Sequence, residues 1–190
     1  MGEWYLSDLC GWFEAFETDD MVKMLRIGIV GAESCGKTTL ALSLAQQLHG
    51  TFVGEYARDY VGQLSAPYTY NDVVHIARKQ CEELSADYPT KWVFYDTELI
   101  ITKVWFIHKY GCCPAFVTEM LRSYPLDFVL LCACDLPFVP DPLRENPAIR
   151  PQLTAWYREE LEEYGIPFSV VSGIGDARLQ SALQALKRFD

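Results

Sequence analysis

The chain has 190 residues, half of them hydrophobic and 22% charged, with a net charge of -10. That length favours one domain with a sizeable core, and the negative balance argues against a broad electrostatic grip on nucleic acid. No stretch reaches the ~18 apolar residues of a membrane span and the N-terminus lacks the basic start of a signal peptide, so a cytoplasmic protein with no membrane partner is expected.

Residues 1–23 carry six acids and one lysine among Trp4, Leu6, Leu9, Trp12, Phe13 and Phe16. This acidic, aromatic extension reads either as a poorly ordered segment or as a short amphipathic helix that docks on the body or a partner. Residues 24–190 read as a single catalytic domain. "MLRIGIV" is a buried strand, and Lys37 to His49 is a helix ended by Gly50. "TFVGEYARDY" begins as a strand and ends as a charged turn. Asn71 to Ser85 is a helix with Asn71 as N-cap. "KWVFYDT" is the third strand, Glu98 to Tyr110 a helix closing at Gly111, and Pro114 to Ser123 another helix with proline in its first turn. "DFVLLCAC" is the fourth strand. "DLPFVPDPLRENPAIRP", with five prolines and two arginines, is a loop. Pro151 to Tyr164 is a helix with Leu153, Trp156, Tyr157 and Leu161 on its apolar face. "PFSVVSG" is the fifth strand, and Asp176 to Arg188 closes the chain as a helix. Short apolar strands alternating with helices predict an α/β fold, a five-stranded parallel sheet with helices on both faces. Such sheets bind ligands beyond the carboxyl ends of their strands.

Seven cysteines, Cys10, Cys35, Cys81, Cys112, Cys113, Cys132 and Cys134, match no zinc spacing and read as reduced thiols. His49, His75 and His108 match no metal or triad pattern and read as surface or packing residues. Trp92, Trp105 and Trp156 fall at core-like positions.

Gly31 to Thr38 fits G-x-x-x-x-G-K-[ST] in full, with a strand before it and a helix after it. The glycines let the backbone curl so that successive N–H groups point at phosphate oxygens, and the following helix aims its positive end at the same place. Candidate nucleotide contacts are Gly31, Glu33, Ser34, Cys35, Gly36, Lys37, Thr38 and Thr39. Lys37 reaches the β- and γ-phosphates, and the Thr38 hydroxyl is a ligand for Mg²⁺. Asp96 ends the third strand, where a carboxylate holds Mg²⁺; capping the next helix is its other reading. Glu55, Arg58 and Asp59 follow the second strand as the candidate acceptor side. Glu55 or Asp96 serves as general base, and Arg58 pairs an anion or locks a neighbouring acid. In the proline-rich loop, Arg144 ahead of Arg150 is the candidate lid arginine for the transferring phosphoryl group; the alternative is surface pairing with Asp141 and Glu145.

Together "GAESCGKTTL", "GEYARDY", "FYDTELIITKVW", "YPLDFVLLC" and "DPLR" resemble the ribosylnicotinamide kinase domain of bacterial NAD-biosynthesis regulators and its AAA-like P-loop ATPase relatives, from about Met24 onward. The resemblance implies a P-loop NTPase three-layer sandwich of the nucleoside/nucleotide kinase kind, with ATP and Mg²⁺ as cofactors. It also implies a small-molecule nucleoside, nicotinamide riboside, as acceptor. By that match Lys37 and Thr38 take the phosphate-loop roles, Asp96 the magnesium or base role, Glu55 with Arg58 the acceptor side, and Arg144 the lid role. Pro142 departs from the family's D-G-L-R lid and stiffens that turn. The larger members' adenylyltransferase and DNA-binding domains have no room in 190 residues, so those activities are not expected. The rival readings are a kinase for another nucleoside or nucleotide, and a slow nucleotide-driven switch whose N-terminal segment docks a partner.

Overall fold

The computed structural model describes residues 23–189. The expectations for the N-terminal extension concern residues 1–23, of which 1–22 lie outside the described residues. Five strands, β1 (Leu25–Val30), β2 (Thr51–Val53), β3 (Trp92–Asp96), β4 (Phe128–Cys132) and β5 (Phe168–Val171), form one sheet in the order β2-β3-β1-β4-β5. Every pairing is parallel, so all five carboxyl ends open on one rim.

Period-two alternation divides the sheet into two dry faces. Trp92 and Phe94 of β3, with Phe128, Leu130 and Cys132 of β4, pack under α1 (Lys37–Gln47) and α7 (Asp176–Leu186). Val93, Tyr95, Val129 and Leu131 face the other way. There they meet α3 (Tyr70–Ser85), α4 (Leu99–Tyr110), α5 (Ala115–Ser123) and α6 (Arg150–Glu163). Helices thus cover both faces, as the alternation predicts. Among the described residues no helix is long and apolar enough to cross a membrane. The six described cysteines are free thiols, and Cys132 is fully buried.

Two local expectations are corrected. The stretch expected as a charged turn after β2 is helical: Tyr56–Gly62 forms α2. The reason is tertiary. Tyr56 and Tyr60 pack at a tilt against His75 of α3, and the Tyr60 hydroxyl donates to Asp72 at 2.8 Å. The cap of α3 is Thr69 rather than Asn71, because the Asp72 carboxylate accepts from the Thr69 N–H (2.7 Å) and hydroxyl (2.6 Å), closing a capping box two residues earlier.

Glu98 caps α4, accepting from the Ile100 N–H at 2.9 Å, while its other oxygen has no partner among the described residues. Burial pushes its carboxyl up to about 8, against the pull of the Ile100 and Ile101 N–H groups. A folded value above the unfolded one means that the native state holds the extra proton. Stability therefore falls as pH rises from about 4.5 to about 8. At ~1.4 kcal/mol per unit the loss is a few kcal/mol. Glu98→Gln is expected to flatten that decline in urea unfolding at pH 5 and pH 8; an unchanged slope would show that Glu98 does not carry it.

Candidate active site

The loop between β1 and α1 turns on Gly31 (φ 153°) and Gly36 (φ 78°), and a Cβ at Gly31 would sit 2.7 Å from Cys35 Sγ. Both glycines occupy backbone that L side chains avoid, which lets this loop curl ahead of the α1 N-terminus. Lys37 Nζ folds back on the Gly31 and Ala32 carbonyls at 3.0 and 3.1 Å. Burial alone would lower the Lys37 ammonium's pKa, but the fields of Cys35, Glu55 and Asp96 outweigh it, and the net shift is upward. Cys35 moves the other way: the Cys132 thiol beside it pulls it down against burial, helped by Lys37, Arg178 and Arg150.

Asp96 ends β3 with no exposed surface. Neither carboxylate oxygen has a hydrogen-bond partner among the described residues. Asp96 therefore does not cap α4; Glu98 does. Burial pushes the Asp96 carboxyl up, opposed by the neighbouring Thr38 hydroxyl, Lys37 and Arg58. Thr97 follows at φ 68°, a conformation that costs a β-branched residue ~1–3 kcal/mol and that surrounding contacts must hold. The Gln80 amide reaches its carbonyl at 3.4 Å and is itself held by the Thr102 hydroxyl at 2.7 Å.

Two orphaned carboxylate oxygens beside a hydroxyl are a donor set that suits a hard, oxygen-seeking cation such as Mg²⁺. Among the described residues no group of three or more His, Cys, Asp or Glu is poised for a metal. Such a cation would therefore take its remaining ligands from phosphate and water.

Glu55 sits at the N-terminus of α2. Burial pushes its carboxyl up, Lys37 pulls it back and Asp96 adds to the rise. Arg58 reaches Glu55 at 3.5 Å and Asp141 at 2.8 Å, so it locks an acid on each side. Asp59 is exposed and does not line the cavity beside the loop; Arg58 does.

That cavity holds about 300 Å³. Gly31, Glu33 through Thr39, Glu55 and Arg58 line it. So does an apolar and aromatic set, Ile101, Trp105, Tyr68 and Tyr157. Tyr68 meets Trp105 edge-on at 5.0 Å, and the Trp105 indole N–H donates to the Tyr68 hydroxyl at 3.1 Å. Trp105 is thus a cavity wall rather than only a core residue, and exposed His108 stands at the rim. Ile101, Trp105 and His108 recur at i, i+4 and i+7, a stripe legible in the sequence. Tyr68 lies in a loop and carries no local signal.

The proline-rich loop lies over the phosphate loop and is tied to it. The Glu33 carboxylate accepts from the Glu145 N–H at 2.9 Å and the Asn146 N–H at 3.1 Å. Ser34 Oγ accepts from the Val139 N–H at 3.2 Å. Glu145 is held by the Tyr68 hydroxyl at 2.7 Å and by Lys109 at 3.1 Å. Asp141 and Glu145 are therefore taken by Arg58, Tyr68 and Lys109, and Arg144 stands on the cavity wall without either acid. Arg150 is buried behind the phosphate loop instead.

A family model described as an AAA domain matches residues 26–178. The trifunctional NAD biosynthesis/regulator protein NadR of Escherichia coli (strain K12) is 32% identical over 151 residues, which are 75% of this chain and 37% of that protein. The chain thus spans little more than a third of that relative's length. Among solved structures, NadR protein in complex with NR superposes with a TM-score of 0.68 at 22% identity, covering 88% of this chain and 52% of that one. A deoxyadenosine kinase from M. mycoides does so with a TM-score of 0.61 at 14% identity, covering 87% of this chain and all of that one. Those two structures share this chain's fold: a P-loop sheet with helices on both faces.

Proposed function

This chain belongs to the AAA domain family, and from that premise we propose that residues 24–190 form an ATP-dependent kinase that phosphorylates nicotinamide riboside to nicotinamide mononucleotide. The observation that carries the reading is one cavity. The phosphate loop, Lys37 and Glu55 line it together with the aromatic residues Tyr68, Trp105 and Tyr157, and Asp96 is buried close enough for its field to act on Lys37 and Glu55. The likeness to the trifunctional NAD biosynthesis/regulator protein supports the choice of acceptor.

In this reading the backbone N–H groups from Gly31 to Thr39 hold the triphosphate. Glu33 and Ser34 contribute only their backbone there, because their side chains serve the overlying loop. Thr38 and Asp96 would hold Mg²⁺, which would supply positive charge against the triphosphate when bound. The flat ring of the acceptor packs between Tyr68, Trp105 and Tyr157. Its ribose hydroxyl attacks the γ-phosphorus in line. The new O–P bond forms as the bond to the β-phosphate oxygen breaks, and ADP leaves. Glu55 takes the hydroxyl proton: it lines the cavity, and its raised pKa brings it closer to working pH. Arg58 orients Glu55, while Lys37 and Arg144 stabilise charge on the transferring oxygens. Asp59, facing away, has no part.

The test is a panel of nucleosides with Mg·ATP, with products identified by mass. Nicotinamide riboside is expected to gain one phosphate at the expense of ATP. If another nucleoside reacts and nicotinamide riboside does not, the acceptor is wrong and the kinase stands. If ATP binds and no nucleoside reacts, the chain is a nucleotide switch.

A further inference from the structure

The phosphate loop is held from behind by two buried arginines that lie far away in sequence. Arg178 of α7 spreads its guanidinium over three segments. Nη1 donates to the Cys35 carbonyl at 3.0 Å, Nε donates to the Gly173 carbonyl at 2.8 Å, and Nη2 pairs with Asp135 just after β4. Asp135 is fixed in turn, accepting the Gly173 N–H at 2.7 Å. Arg150, at the start of α6, donates from Nη2 to the Ser34 carbonyl at 3.3 Å and to the Leu136 carbonyl at 3.0 Å. Neither guanidinium lines the cavity.

In a planar trans peptide the C=O and the following N–H point in opposite directions. Pinning the Ser34 carbonyl on the Arg150 side therefore aims the Cys35 N–H away from it. Pinning the Cys35 carbonyl on the Arg178 side does the same for the Gly36 N–H. Those are successive donors of the cradle, at the position where the loop must bend through the positive φ of Gly36. Without the arginines these two carbonyls lose buried, charge-assisted partners, and the peptides are free to rotate.

We propose that Arg178 and Arg150 are positioning residues for nucleotide binding. They act through the Cys35 and Ser34 carbonyls to set the phosphate loop's N–H groups before a triphosphate arrives. At Arg178 a planar fork is required, because a lysine ammonium keeps the charge but cannot reach three fixed acceptors on separate segments; at Arg150 a lysine removes the Nη2 that the Ser34 and Leu136 carbonyls share.

The inference rests on the nucleotide-binding reading, and its test separates the two. Affinities for a non-hydrolysable ATP analogue with Mg²⁺, and for the nucleoside that the wild type phosphorylates, are measured by calorimetry. Wild type, Arg178→Lys and Arg150→Lys are compared, each with its ligand-free melting temperature. Each variant is expected to bind the analogue about tenfold or more weakly, with nucleoside affinity unchanged and melting close to wild type. Wild-type affinity for the analogue in both variants overturns the proposal, as does parallel loss of both affinities. If Arg178→Lys does not fold, Asp135→Asn, which removes the charged partner of Nη2 at constant side-chain shape, and Arg150→Lys decide by the same two affinities. A wild type that fails to bind the analogue overturns the nucleotide-binding reading itself, and this inference with it.

Discussion

Replacing Lys37 with alanine is expected to lower the rate of phosphoryl transfer by roughly 10²–10³-fold or more, the cost of removing one preorganised donor from developing charge. The size follows from where the ammonium sits. It lies at the start of α1 against the loop's own carbonyls, in the combined field of Cys35, Glu55 and Asp96. It is therefore fully charged at any working pH and needs only a short swing to exchange the Gly31 and Ala32 carbonyls for phosphate oxygens. Its loss also removes a cation whose field holds down the pKa of both Glu55 and Asp96. Single-turnover transfer from ATP to the acceptor, followed by mass detection, reads the effect. Full turnover in Lys37→Ala would remove the phosphate loop from the mechanism.

Asp96→Asn is expected to lower Mg²⁺-dependent turnover by roughly 10²–10⁴-fold while raising stability near neutral pH. The two effects share one origin. A carboxylate that is wholly buried with both oxygens unpartnered is costly to the fold, and its raised pKa is the measure of that cost. Because the folded value lies above the unfolded one, this cost grows as pH rises through the interval between them. Asparagine has no charge to desolvate, so the melting temperature should rise wherever the native Asp96 is ionised, but it is a far poorer cation ligand. That opposition is the mark of a residue kept for function at the expense of stability. If the variant melts lower and keeps its turnover, Asp96 is structural. Comparing pH–rate profiles then assigns the base: Glu55→Gln should remove the acidic limb that Asp96→Asn leaves in place.

Much of this molecule is dictated locally. The run from Gly31 to Thr38 needs two glycines and a helix start, and both are written within ten residues. Apolar strands alternating with helices specify a parallel sheet, because only helices on both faces bury such strands. Parallel strands in turn deliver Glu55 and Asp96 to the same rim as Lys37, so the grouping of these candidate residues was legible from order alone. The rest belongs to residues far apart in the chain. Glu33 accepts from Glu145, 112 positions away, and Arg178 donates to Cys35 across 143. Neither pairing leaves a periodicity or a motif. The helix at "EYARDY" forms because Tyr56 and Tyr60 find His75 and Asp72 on α3, and Tyr68 joins Trp105 only once α4 is in place. Backbone geometry and hydrophobic period act over a few residues and can be read from them. The overlying loop, the aromatic chamber and the two arginines behind the cradle depend on which surfaces meet, and folding alone brings those surfaces together.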